Sequence, residues 1–125
     1  MRGATAEWIE KAEGDFVSAQ REFRARKLPN YDAACFFAQQ CAEKYLKAYL
    51  QEQDLPFPKT HDLVRLLARI PPSLGLSTLR SDMSILTAYA TEFRYPGESA
   101  SKETAREALA FCKAIRSEIR NLLSL

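Results

Sequence analysis

A chain of 125 residues has room for one domain and no second, and folding buries roughly two thirds of its unfolded surface without disulfide or metal staples. With 27% charged and 46% hydrophobic residues and no apolar run near the ~20 residues of a membrane span, the composition is that of a water-soluble globular domain and excludes a membrane-spanning one. The net charge of +2 is too mild to announce a nucleic-acid binder, and it does not exclude one.

The N-terminus scatters Glu7, Glu10 and Glu13 among apolar residues and has no continuous hydrophobic signal core, which gives a cytoplasmic expectation. Cys35, Cys41 and Cys112 fall on apolar helical positions without CxxC or Cys/His spacing, so they read as buried reduced thiols rather than zinc ligands. Breaks at Leu28-Pro29-Asn30, Leu55 to Pro58, Pro71-Pro72-Ser73 and Pro96-Gly97 divide the chain into five segments.

The first segment, about 4 to 27, sets Trp8, Ile9, Ala12, Phe16, Ala19 and Phe23 on one stripe at helical spacing, with Glu7, Glu10, Lys11 and Arg21 turned away. Asn30 then offers an N-cap for a helix of about 31 to 53. Its inward arc holds Tyr31, Ala34, Cys35, Ala38, Cys41, Ala42, Tyr45, Leu46 and Tyr49. On the opposite arc Phe36 is expected to project from a polar face of Gln40, Glu43 and Lys47, either as part of a protein interface or as an ordinary exposed ring. Glu43 and Lys44 belong to a polar cleft or to a solvated ion-pair face, and spacing does not choose between them.

Thr60 is expected to cap a short helix of about 61 to 70, with Asp62 in its first turn and Leu63, Val64, Leu66, Leu67 and Ile70 inward. His61, Arg65 and Arg69 recur at four-residue spacing and would form a small basic stripe, able to meet phosphate or simply to face solvent. A helix of about 75 to 94 turns Leu76, Leu79, Met83, Leu86, Tyr89, Ala90 and Phe93 inward and stops at Pro96-Gly97. The last, about 101 to 124, carries Ala105, Ala108, Leu109, Cys112, Ile115, Ile119 and Leu122 on one stripe. Every long segment is amphipathic and no strand alternation occurs, so the expected fold is all-α: an up-and-down antiparallel four-helix bundle with one short extra helix, spanning residues 1–125.

Four motifs in order carry a family resemblance: Trp8 with Ala12 and Asp15; Phe37-Ala-Gln-Gln-Cys-Ala-Glu-Lys-Tyr-Leu-Lys47; Lys59-Thr-His-Asp-Leu63; and Phe93-Arg-Tyr-Pro96. Together they resemble the HEPN domain, the family named for nucleotide binding in higher eukaryotes and prokaryotes, in its small stand-alone prokaryotic form. The resemblance implies a homodimeric bundle that works beside a minimal nucleotidyltransferase, sometimes as the toxin of a toxin–antitoxin pair. Its catalytic members are metal-independent endoribonucleases with an arginine followed, four to six residues on, by a histidine. That histidine moves a proton of the RNA while the arginine offsets charge on the phosphorane.

Arg94 matches the arginine of that motif, but Ser99, Ala100 and Ser101 stand where the histidine belongs. The tyrosine that follows the histidine in some toxins, and is modified by the partner enzyme, is absent as well, and Tyr95 is at the wrong position to replace it. His61 is the only histidine left to act as a base. Arg94 also suits the C-terminal end of a helix without any functional role.

The leading expectation is therefore a non-catalytic binding module with a nucleotidyltransferase partner and a nucleotide or RNA ligand, using Arg94, Tyr95, His61, Gln40, Glu43, Lys44, Phe36, Arg65 and Arg69. The alternatives are a ribonuclease acting through Arg94 and His61, and a purely structural dimer. No cofactor or metal is implied, since the chain has no glycine-rich phosphate loop and no acid pair at metal spacing.

Overall fold

The computed structural model describes all 125 residues and is all-helical. Helices α1 (Gly3–Arg24), α2 (Tyr31–Glu52), α3 (Leu63–Leu67), α4 (Arg80–Glu92) and α5 (Lys102–Leu122) follow in order, with two 3-10 turns, Pro72–Leu74 and Leu76–Leu79, before α4. None is long and apolar enough to cross a membrane.

Consecutive long helices run antiparallel. The Asp32 carboxylate at the start of α2 accepts the Ala100 N–H just before α5, and Tyr45 accepts from Arg120 a few turns on, so α2 and α5 run side by side in the same direction. Arg94 lies over Phe36 of α2, and Thr87 of α4 accepts the Leu63 N–H at the start of α3, which places α4 against both. Helix α2 touches α1, α3, α4 and α5 and is the spine of the bundle. Its small residues Ala34, Ala38, Cys41 and Ala42 are fully buried, as are Ala105, Ala108 and Cys112 of α5, which lets the two backbones approach closely.

The expected inward stripes form the core. Leu46, Leu63, Leu66, Leu76, Met83, Leu86, Ile115 and Ile119 are buried, with Trp8, Ile9, Phe16 and Phe23 packed around them. The three cysteines are buried free thiols as expected. Burial, helped by the Asp32 carboxylate, pushes the Cys35 thiol up to about 12.

Two helix starts differ from the sequence expectation for reasons of turn chemistry. The cap of α3 is Asp62, not Thr60: its carboxylate accepts the N–H groups of Val64 and Arg65, while the Thr60 hydroxyl accepts the Asp62 N–H one step earlier. His61 therefore lies outside the helix. The stretch from 75 is not yet α-helical because Gly75 takes φ 80°, and a true α-helix begins only at Arg80.

Leu28 adopts φ 48° and is 94% exposed, so it accepts a left-handed strain with no burial in return. Leu28→Asn is expected to raise stability by about 0.5–1 kcal/mol, because asparagine tolerates this region better. A thermal melt showing no gain, or a loss, would contradict this account of the turn.

Candidate functional site

Of the two readings that spacing left open for Glu43, a polar cleft or a solvated face, its burial favours the first. Gln39, Glu43 and Lys47 recur at one-turn spacing and are all buried, the first two against His61 in the segment leading into α3 and Lys47 against Trp8 of α1. The Glu43 side chain is only 4% exposed and divides its two oxygens between two partners: Oε2 accepts from Lys47 Nζ at 2.9 Å and Oε1 meets His61 Nδ1 at 2.9 Å. Gln39 Nε2 donates to the His61 carbonyl at 2.6 Å, and Gln40 Nε2 donates to Gln39 Oε1 at 2.8 Å. The buried amide thus fixes the backbone of His61 while the buried carboxylate fixes its ring.

That ring is 79% exposed. With Nδ1 directed at a carboxylate, neutral His61 carries its proton there and presents the Nε2 lone pair to solvent. Lys47 extends on toward Trp8, with its ammonium 5.5 Å from the ring centroid, and Trp8 meets Phe57 edge-on at 6.4 Å. These apolar neighbours explain why two charges are buried here.

Phe36 is half-buried rather than projecting. It packs edge-on against Phe37 at 5.6 Å, and the Arg94 guanidinium lies 6.0 Å from its centroid. The helix around Arg94 is ending: Phe93 N–H reaches Tyr89 O and Arg94 N–H reaches Thr91 O, the tightened last turn expected before Pro96-Gly97. Gly97 completes the turn at φ 90°. Tyr95 is 64% exposed.

Beside Asp62, a shallow depression of about 460 Å³ is lined on α4 by Ser84, Thr87, Ala88, Thr91 and Glu92. Its two carboxylates, Asp62 and Glu92, disfavour an anion there.

The remaining sequence candidates are elsewhere. Lys44 turns to α1 and pairs with Asp15, each side chain about one-fifth exposed, so it leaves the α2 face shared by Gln40 and Glu43. Arg65 and Arg69 are exposed, the first in α3 and the second in the turn after it. The expected basic stripe with His61 does not form, because His61 precedes the helix and is bound to Glu43. Ser101 caps α5 by accepting the Thr104 N–H, and the Ala100 N–H is held by Asp32.

A second polar cluster lies outside the sequence candidates. Glu13 of α1 accepts from Arg116 through Nε at 2.8 Å and Nη2 at 2.6 Å, and from the Tyr45 hydroxyl at 2.7 Å, to which Arg120 adds a bond at 3.1 Å. The Arg116 bonds hold the Glu13 carboxyl below its ordinary value. Burial first, then the bond to Glu13, pushes the Tyr45 hydroxyl up to about 12. The sequence signal for both clusters is present in the one-turn repeats Gln39-Glu43-Lys47 and Arg116-Arg120, but their partners lie on distant segments.

The family model of the HEPN domain matches residues 5–122. Among solved structures, the TT1696 protein of Thermus thermophilus superposes with a TM-score of 0.82 at 25% identity, covering 96% of this chain and 98% of that one. The archaeal HEPN homologue ST0689 superposes with a TM-score of 0.76 at 24% identity, covering 94% and 96%. No curated protein sequence matches at a significant level. The model match over nearly the whole length, with the four ordered motifs and the bundle they build, makes this chain a member of the HEPN domain family.

Proposed function

We propose that the chain is a cytoplasmic, homodimeric, non-catalytic HEPN module that binds a minimal nucleotidyltransferase and helps it position a nucleotide or RNA. The observation that carries this reading is the lack of an imidazole at positions 99 to 101, beside two candidate groups anchored on different turns of α2. His61 is anchored on Glu43 and Arg94 on Phe36, and those anchors stand two turns apart on α2, roughly 10 Å along its axis. A proton-transfer group must come within hydrogen-bond reach of the bond it serves, close to the charge the arginine offsets. Positions 99 to 101 supply no imidazole, and Ala100 and Ser101 are engaged in the entry to α5.

What these residues can do is present a half-buried aromatic ring, a cation and a fixed imidazole to a partner surface, the mixture found at interface cores. The test is light scattering of the protein alone and mixed with a minimal nucleotidyltransferase from the same genome. A mass twice the 14.2 kDa chain, a complex at micromolar concentration, and affinity reduced at least about tenfold by Arg94→Ala are expected. Absence of any complex at that concentration would reject the reading.

The ribonuclease alternative draws on one feature, the Glu43-anchored imidazole with its free Nε2. It requires RNA cleavage that EDTA leaves unchanged and that both Arg94→Ala and His61→Ala abolish. Intact RNA after prolonged incubation with concentrated protein would dispose of it.

A further inference from the structure

At the N-terminal end of α2, where α1 ends and α5 begins, the surface carries a cleft of about 520 Å³. Its lining includes Arg24, Arg26, Lys102 and Arg106 around the rings of Phe23 and Tyr31. A second hollow of about 180 Å³ shares Phe23, Arg24 and Arg106 with it and extends along α5 to Lys113. Five cations line this continuous groove, and no carboxylate does.

Most of that charge is unspent. Arg24, Arg26, Lys102 and Lys113 pair with no carboxylate, and Arg106 alone meets one, the exposed Glu103. On a chain of net charge +2, five cations in one groove leave the rest of the molecule net negative. Stability accounts for Arg24, which sits in the last turn of α1 where a cation suits the helix dipole. It does not account for Lys102, which opens α5 directly after the Ser101 cap, where a carboxylate would be the stabilising choice.

We propose that this groove binds single-stranded nucleic acid, with the cations along the phosphates and bases against Phe23 and Tyr31. The two rings lie 6.1 Å apart at 55°, and Arg106 stacks 5.8 Å from Phe23, so the floor is aromatic and its rim cationic. Length selects a strand over a mononucleotide. Lys102 and Lys113 are three turns apart, roughly 16 Å. That span exceeds the phosphate chain of one triphosphate and matches successive phosphates of an extended strand, which lie farther apart than the roughly 3.4 Å rise per strand of a duplex. The site shares no residue with the Arg94 and His61 face and stands independently of the partner proposed for it.

The experiment is fluorescence anisotropy of a labelled ten-nucleotide oligo(U) RNA and its oligo(dT) counterpart, in EDTA, over a salt series. The double variant Arg24→Glu, Arg26→Glu is expected to weaken binding at least about tenfold and to flatten the log–log salt dependence by about 0.7 for each phosphate that is no longer neutralised. The charge-matched double variant Arg65→Glu, Arg69→Glu should change affinity less than about twofold, since those residues lie outside the groove. Lys102→Glu guards against misfolding, because it should weaken binding while leaving the melting temperature equal or higher. Equal loss in the two double variants, no binding by the unmodified protein at tens of micromolar, displacement of the strand by micromolar nucleoside triphosphate, or binding of phosphatidylserine vesicles but of neither strand would each overturn the proposal.

Discussion

Glu43→Ala is expected to lower the unfolding free energy by about 3 kcal/mol, the cost typical of breaking a buried ion pair from one side. The substitution strands Lys47, whose side chain is 11% exposed beneath Trp8, and removes the acceptor that orients His61. For a domain of this size the melting temperature should fall by about 10 °C. Lys47→Met should cost a comparable amount, since it leaves the buried Glu43 carboxylate with the mostly exposed His61 in place of its buried cation. His61→Ala should cost less than about 1 kcal/mol because its ring is mostly in water. Thermal melts of the three variants check the order. A Glu43→Ala protein as stable as His61→Ala would mean that the buried cluster contributes nothing to the fold.

The second large effect belongs to Glu13. At pH 7 Glu13→Gln is expected to cost about 1–2 kcal/mol, at the lower end for a charged hydrogen-bond network because the carboxylate is about one-third exposed. The sign of its pH dependence follows from the direction of the shift. Its hydrogen bonds to Arg116 hold the folded carboxyl below the ordinary 4.5. The stabilisation is therefore complete above that value and drains away as the pH falls through the lower folded one. The unmodified protein should lose more stability than Glu13→Gln between about pH 5 and pH 3, and the gap between them should close there. Tyr45, raised to about 12, keeps its proton throughout and so does not complicate the profile. Urea unfolding at the two ends of this range makes the comparison; a constant gap would show that Glu13 acts by shape rather than by charge.

The bundle was legible because each long helix repeats its apolar residues at a period only a buried face requires. The stripes Ala12–Ala19, Ala105–Ala108–Cys112–Ile115–Ile119 and Met83–Leu86 are buried where the spacing puts them. Helix starts were legible where one polar residue had no rival, as at Asn30, and misread where two competed, as at Thr60 and Asp62. The site was less legible for a different reason. Spacing says which residues share an arc of α2, but not whether another segment covers it. Gln40, Glu43 and Lys47 read as one polar face, yet His61 before α3 engages Glu43 and Trp8 of α1 lies against Lys47. Lys44, next in sequence to Glu43, finds Asp15 on α1 instead. Such pairings join residues far apart in the chain, which periodicity does not encode.

The position of α2 at the centre of the bundle has a mechanical consequence for its outer face. Amides in the middle of a helix enclosed by four neighbours exchange only when the whole domain opens, so Gln39 and Glu43 stand on the slowest-opening part of the molecule. His61 inherits that rigidity through its ring and its carbonyl. Arg94 lies in the turn just past the end of α4, and its guanidinium rests on one aromatic ring. One side of the face is thus a fixed anvil and the other a movable finger. A partner that pulls Arg94 away from Phe36 disturbs little else, whereas one that shifts His61 must work against the spine of the fold.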